Sequence, residues 1–160
     1  MFLIEALPTG VVMRKQVIHA VSEIEAKIQS QDAWNDQALS ELLMQDSIDL
    51  MVVMSTDIDE VVGYCLYQVV FEQAEILRIG THPDYQRQGI ASQVFRQLHK
   101  WLAESQVESL LLEVRADNAV AIALYEQQGF TIIHKRKSYY QQPHQPAIDA
   151  LIMQRVYIED

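Results

Sequence analysis

Cysteine is nearly absent from this 160-residue chain, which contains one, Cys65. A lone cysteine cannot form a disulfide within the chain, and no group of cysteine and histidine residues has the spacing of a zinc site. We therefore predict a fold without a disulfide and without a bound metal. A chain of this length buries enough apolar surface to be stable without either.

Positive charge and long apolar runs are also scarce. Twelve Lys and Arg residues stand against 22 Asp and Glu residues, which gives a formal net charge of −10 at pH 7. This charge repels nucleic-acid phosphates and attracts basic partners, so we expect no direct DNA binding. No apolar run approaches the length of a membrane span, and Glu5 and Pro8 interrupt the short apolar start that a secretory signal requires. The expected protein is cytoplasmic and makes no membrane contact.

Glycine and proline are few, with five and four residues respectively. No repeat, low-complexity tract or Gly/Ser linker divides the chain, so we predict a single domain over residues 1–160. About half of the residues are apolar, which is typical of a globular protein.

The apolar periodicity predicts an α/β fold with a mixed sheet. The predicted strands cover residues 2–6, 48–54, 60–70, 74–81, 109–114, 130–137 and 147–157. The predicted helices cover residues 11–29, 36–45, 89–104 and 118–128. The nearly continuous apolar run at residues 109–114 is typical of a strand that is buried on both faces.

A strand, a short loop and a helix N-terminus follow one another between residues 74 and 92. The first N–H groups of a helix lack internal partners, so they favour an anion. Gly89 allows close approach of the backbone to a phosphate, and Arg87 adds a fixed positive charge. Ile90 follows Gly89 where a P-loop has Lys, and one glycine is too few for a dinucleotide fingerprint. The alternative is an ordinary helix start with a glycine in the turn.

A second motif favours the anion site over an ordinary helix start. Residues 112–130 read LEVRADNAVAIALYEQQGF, and residues 83–91 read PDYQRQGIA. Together they resemble the GNAT acyltransferases, which use acetyl-CoA. Further matches are Ile24-Glu25 with Trp34, Arg136 with Tyr139-Tyr140, and Asp149-Ala150 with Met153. The similarity covers about residues 24–153 and is greatest to the branch of the family that acetylates ribosomal-protein N-termini.

The resemblance implies the GNAT fold, a mixed central sheet flanked by helices, in which two neighbouring strands splay apart. These strands would be residues 75–81 and 109–114, and acetyl-CoA would enter between them. Backbone groups of Ile79, Gly80 and Thr81 would bind the pantetheine arm. The residues implied at the pyrophosphate are Arg87, Gln88, Gly89, Ile90, Ala91 and Ser92.

The resemblance also assigns the chemistry. Glu113 would be the general base, Tyr125 would protonate the departing thiolate, and Asn118 would contact the cofactor near its thiol. Apolar neighbours that desolvate a carboxylate make it a better base. The residues alone leave other interpretations open. Glu113 could face solvent or pair with Arg115, Tyr125 could be an amphipathic core tyrosine, and Asn118 could be a plain helix cap.

The family pattern is broken at three places. Ala91 replaces the more common glycine, and Gly80 stands where a larger apolar residue is usual. The loop at residues 140–149 lacks the acidic residue expected just before Asp149. This loop should border the peptide site, where Trp34, Tyr139 and Tyr140 either line the groove or belong to the core.

The implied acceptor is a basic protein N-terminus, namely the N-terminal alanine of a small-subunit ribosomal protein. The alternatives are another protein N-terminus, a lysine, an amino acid, a polyamine or an aminoglycoside, or a module that binds acyl-CoA without catalysis. We expect a monomer or a weak homodimer. Transfer should be direct, because Cys65 lies in an alternating strand and is predicted to be a buried structural thiol rather than an acyl carrier.

Overall fold

The computed structural model describes residues 1–29 and 32–157. The strands in these residues are β1 (Phe2–Ala6), β2 (Ile48–Ser55), β3 (Glu60–Val70), β4 (Gln73–Thr81), β5 (Ser109–Arg115), β6 (Thr131–Tyr140) and β7 (Ile148–Val156). The helices are α1 (Val11–Ile28), α2 (Asp36–Leu42), α3 (Ile90–Glu104) and α4 (Ala119–Gln127), with a 3-10 turn at Pro83–Tyr85. Every predicted strand and helix is confirmed. The largest differences at their ends are that α2 stops at Leu42 and that β6 continues to Tyr140.

The strands form one mixed sheet in the order β1-β2-β3-β4-β5-β7-β6. The pairs β1–β2, β2–β3, β5–β7 and β6–β7 are antiparallel, whereas β4 and β5 are parallel. The register between β4 and β5 runs from Gln73 opposite Ser109 to Glu75 opposite Leu111. The predicted mixed α/β fold is therefore confirmed.

Two compact units divide the chain. Unit 1 comprises Met1–Gln68 and Leu77–Lys100, and unit 2 comprises Val69–Ile76 and the chain from Trp101 onward. No helix within the described residues is both long enough and apolar enough to cross a membrane.

Unit 1 is built around an apolar core between its first two helices and its sheet. Residues from α1 and α2, including Val21 and Leu39, pack with residues from β2 and β3, including Leu50 and Leu66. The helical spacing of the apolar residues in α1 and α2 places them on the face of each helix that meets the sheet. Burying each such side chain contributes roughly 1.5–3 kcal/mol to stability.

Unit 2 contains β5, whose burial alternates along the strand. Leu110, Leu112 and Val114 are buried, whereas Leu111 and Glu113 are half-buried. The prediction of a strand buried on both faces is therefore wrong. Successive side chains of a strand point to opposite faces, and the face that carries Glu113 is only partly covered.

Candidate active site

The predicted anion site lies at the start of α3 in unit 1. Arg87 and Gly89 both have left-handed backbones, with φ values of 64° and 80°, and the helix begins at Ile90. The first hydrogen bond of the helix runs from Gln93 N to Gly89 O at 3.1 Å. The N–H groups of the three residues at positions 90–92 thus precede any acceptor in the helix, as an anion site requires.

His82 fixes the entry to this loop. Its Nδ1 accepts a hydrogen bond from Asp84 N at 3.1 Å, and its Nε2 lies 3.1 Å from Lys27 Nζ on α1. The ring also meets Tyr85 edge-on, with the centroids 5.8 Å apart. These three contacts of His82 hold the backbone that leads to Arg87.

Ile79, Gly80 and Thr81 are half-buried at the end of β4, where the pantetheine contacts are predicted. The glycine at position 80 has a steric reason. A Cβ there would lie 2.7 Å from the Tyr64 hydroxyl and would also collide with Ile28. The larger residue that the family usually has here is excluded because these two side chains already fill the space.

A buried polar network lies beside this strand end, and the sequence predicted no role for Glu25, the residue at its centre. The carboxylate of Glu25 is fully buried; it accepts hydrogen bonds from the Tyr64 hydroxyl and from Trp34 N at 3.1 Å. Arg78 Nε lies 3.3 Å from Glu25, and its guanidinium stacks 4.3 Å over the Trp34 ring. Burial and the bond to Glu25 raise the pKa of Tyr64. The sequence did contain a signal for a buried carboxylate, because Glu25 lies four residues after Val21, within the apolar stripe of α1.

Glu113 belongs to unit 2, and its carboxylate has two partners. The Tyr140 hydroxyl donates to Oε1 at 2.8 Å, and Arg136 Nη1 lies 3.6 Å from Oε2. The Glu113 side chain remains 27% exposed. The proposed alternative, a pair with Arg115, is wrong, because Arg115 bonds to both carboxylate oxygens of Asp117 at 3.1 Å.

The predicted acid and cofactor-binding asparagine both lie on or next to α4. Asn118 caps the helix, with its side-chain oxygen accepting from Ala121 N at 3.2 Å. Tyr125 is half-buried, and its ring meets Phe130 edge-on with the centroids 6.1 Å apart. The cap interpretation of Asn118 is thus confirmed, and its contact with the cofactor stays a prediction.

The other candidate groups have structural surroundings. Cys65 is fully buried, and burial raises the pKa of its thiol to about 12, which disfavours a thiolate nucleophile. No cluster of three or more His, Cys, Asp or Glu side chains within residues 1–29 and 32–157 could hold a metal ion.

The chain is similar to known acetyltransferases. The profile of the acetyltransferase (GNAT) family matches residues 18–130. The ribosomal protein bS18-alanine N-acetyltransferase of Escherichia coli is 44% identical over 78 residues, which are 49% of this chain and 53% of that protein. This chain thus aligns with about half the length of that relative. A Bacillus subtilis relative is 32% identical over 141 residues, covering 88% of this chain and 90% of its own. The crystal structure of the Escherichia coli ribosomal-protein alanine N-acetyltransferase superposes with a TM-score of 0.85 at 29% identity, covering 100% of this chain and 96% of that one.

Proposed function

Because the chain belongs to the acetyltransferase (GNAT) family, we propose that it transfers an acetyl group directly from acetyl-CoA to the N-terminal α-amine of a protein. The acceptor is the N-terminal alanine of a small-subunit ribosomal protein. The observation that carries the proposal is the carboxylate of Glu113, which is held by two partners and is still 27% exposed. A group that is fixed and yet accessible can take a proton from an incoming amine.

Acetyl-CoA supplies an activated thioester, and residues of unit 1 fit its anionic part. The pyrophosphate would lie against the N–H groups at positions 90–92, with Arg87 as the counter-charge. Gln88, Gly89, Ile90, Ala91 and Ser92 complete this proposed site, and the end of β4 at Ile79, Gly80 and Thr81 would bind the pantetheine arm.

Glu113 is the proposed base, and it suits an α-amine better than a lysine. An α-amino group has a pKa of about 8 and a lysine about 10.4. Deprotonation at pH 7 therefore costs about 1.4 kcal/mol for the α-amine and about 4.6 kcal/mol for lysine, at 1.36 kcal/mol per pH unit. A modest carboxylate base is sufficient in the first case.

Tyr125 is the proposed acid. Its phenol would give a proton to the departing thiolate, which a hydroxyl at the edge of a half-buried ring can do. Asn118, which caps the N-terminus of the helix that carries Tyr125, would contact the cofactor near its thiol. Each of these roles comes from the family resemblance and is tested by substitution.

The acceptor is proposed from the relatives and from charge. The Escherichia coli relative is named for ribosomal protein bS18, and a net charge of −10 attracts a basic N-terminal segment. The loop that precedes Asp149, which lacks the expected acidic residue, favours a second candidate, namely another amine such as a polyamine or a different protein N-terminus.

The test is a comparison of two peptides with the purified protein. We expect acetylation of an alanine-initiated peptide and none of an N-terminally blocked peptide that contains lysine. Glu113→Gln should lower kcat about a hundredfold while leaving coenzyme A binding intact. Acetylation confined to lysine side chains would exclude the N-terminal acceptor, and turnover of a polyamine alone would support the second candidate.

A further inference from the structure

The pairing of β6 with β7 is interrupted beside Glu113. From Ala150 to Ile148, β7 advances by two residues, whereas its partner β6 advances by four, from Arg136 to Tyr140. The bulge, residues 137–139, therefore contains two more residues than regular pairing allows. Within it Ser138 has a φ of 53°, and its N–H donates to Asp149 Oδ1 at 2.8 Å.

The bulge decides where Tyr140 lies. In regular antiparallel pairing the residue opposite Ile148 would be Ser138, and Tyr140 would lie two residues further along the strand, roughly 7 Å away. Because two residues are inserted, Tyr140 keeps its face of the sheet and is drawn back toward Glu113. Bulges commonly redirect a side chain in this way.

The register places both partners on the face that carries Glu113. Glu113 pairs with Ile152, which in turn pairs with His134, and Arg115 pairs with Ala150, which in turn pairs with Arg136. Paired residues project to the same face. Arg136 thus approaches the carboxylate from the neighbouring set of paired residues, which contains Arg115 and Ala150. Tyr140 approaches it from the end of β6 beyond the bulge.

We infer that Tyr140 is a positioning residue for Glu113 and that Asp149, by holding the bulge, aims Tyr140 at the carboxylate. This inference rests on the proposed function. The Tyr140 hydroxyl occupies Oε1, so the plane of the carboxylate is fixed and Oε2 accepts the proton that leaves the acceptor ammonium. The neutral amine then attacks the thioester, and Tyr140 remains protonated throughout.

The surrounding charges agree with this role. Burial and the hydrogen bond to Glu113 raise the pKa of Tyr140, so the phenol keeps its proton at neutral pH. Arg136 Nη1 lies 3.6 Å from Oε2, so a cation also stands next to the carboxylate. The other titratable groups nearby include Tyr139, whose ring meets that of Tyr140 edge-on with the centroids 5.3 Å apart. They also include His134 on the same face of β6, Asp149 on β7, and Arg115, which is bonded to Asp117 and lies 5.4 Å over the Tyr140 ring.

The first test is Tyr140→Phe, which removes the hydroxyl and keeps the ring. We expect kcat on the alanine peptide to fall about tenfold, the scale of one hydrogen bond to a charged group, with the KM for acetyl-CoA unchanged. The acid limb of the kcat/KM profile should move to higher pH, because a donor that stabilises the ionised carboxylate is lost. Tyr67→Phe removes a hydroxyl from a buried tyrosine of β3 in unit 1 and should leave that limb in place. An unmoved limb in Tyr140→Phe would overturn the inference.

A double-mutant cycle separates this inference from the proposed function. If Tyr140 acts through Glu113, adding Tyr140→Phe to Glu113→Gln should cause no further loss. An equal loss in both backgrounds would show that Tyr140 acts elsewhere. If Glu113→Gln is inactive while Tyr140→Phe is unaffected, only the positioning role fails. If Glu113→Gln itself turns over at the full rate, the proposed base fails as well.

The second test addresses the bulge. Asp149→Ala removes the acceptor of the Ser138 N–H, and we expect it to reproduce the loss and the pH shift of Tyr140→Phe. Asp149→Asn keeps a side-chain oxygen at that position and should restore most of the activity. Thermal unfolding of both variants checks that the fold is retained. Equal losses in Asp149→Ala and Asp149→Asn, or none in either, would contradict the role of the bulge.

Discussion

The buried carboxylate of Glu25 accepts a hydrogen bond from the backbone N–H of Trp34, so the chain entering α2 is fastened to the helix before it. The same carboxylate receives the Tyr64 hydroxyl and lies beside Arg78. One side chain therefore connects α1, the segment that leads into α2, and the strands β3 and β4 of unit 1. A buried charge with several partners is costly to disrupt, because its partners are left unpaired.

Glu25→Ala is expected to destabilise the protein strongly. The substitution leaves the Tyr64 hydroxyl without its acceptor and leaves Arg78 with only the exposed Asp32 as an ion-pair partner. The loss should be about 3 kcal/mol in the free energy of unfolding. Urea unfolding measures it. Glu23→Ala is the matched control, since Glu23 is an exposed residue of the same helix and pairs with His19 at the surface. A loss of similar size in both variants would mean that the buried network adds no stability.

Gly80→Ala is expected to strain the end of β4. The added Cβ would meet the Tyr64 hydroxyl at 2.7 Å, and overpacking of this kind costs about 1–3 kcal/mol in the free energy of unfolding. Ile28→Ala vacates space at the same point. The double variant should therefore lose less than the sum of the two single variants, as chemical unfolding would show. Additive losses would refute the steric explanation.

Arg87→Gln is expected to weaken cosubstrate binding. If Arg87 is the counter-charge for a pyrophosphate, the Kd for coenzyme A should rise about tenfold, and the difference from the unmodified chain should shrink at high salt. Calorimetric titration at two ionic strengths measures both effects. Lys15→Gln, on the exposed surface of α1, removes a cation of the same unit as a control. Equal affinities of the two variants would place the pyrophosphate elsewhere.

The contact between His19 and Asp36 is expected to make stability depend on pH. The hydrogen bond to Asp36, with its negative charge, raises the pKa of His19 above 6.5, and bonds from Ser22 and His19 lower the pKa of Asp36 below 3.8. The histidine contribution is present below pH 6.5 and is lost as the pH rises through its folded-state pKa. The carboxylate contribution is present above pH 3.8 and is lost as the pH falls through its lowered pKa.

The pair of His19 and Asp36 should therefore stabilise the fold most between pH 3.8 and pH 6.5. We expect the stability difference between the unmodified chain and His19→Gln to be larger near pH 5.5 than near pH 8.5, as measured by urea unfolding. A stability difference that stays constant between pH 5.5 and pH 8.5 would show that folding does not raise the pKa of His19.

The amino-acid sequence by itself determined which segments are helices and strands, because apolar periodicity is a local property that each segment carries. It also predicted a site at the loop of residues 83–92 and, through the family resemblance, at Glu113 and Tyr125, since these lie in contiguous motifs. The end of β6 was missed by three residues because the bulge at residues 137–139 depends on Asp149 of another strand.

The partners of Glu113 depended on the tertiary structure. Local spacing suggested Arg115, two residues away, whereas the fold brings Tyr140, 27 residues away, to the carboxylate and gives Arg115 to Asp117. Strand register and a two-residue insertion set that contact, and both are cooperative results of packing over the whole sheet. The same holds for Glu25, whose three partners come from segments that meet only in the folded chain.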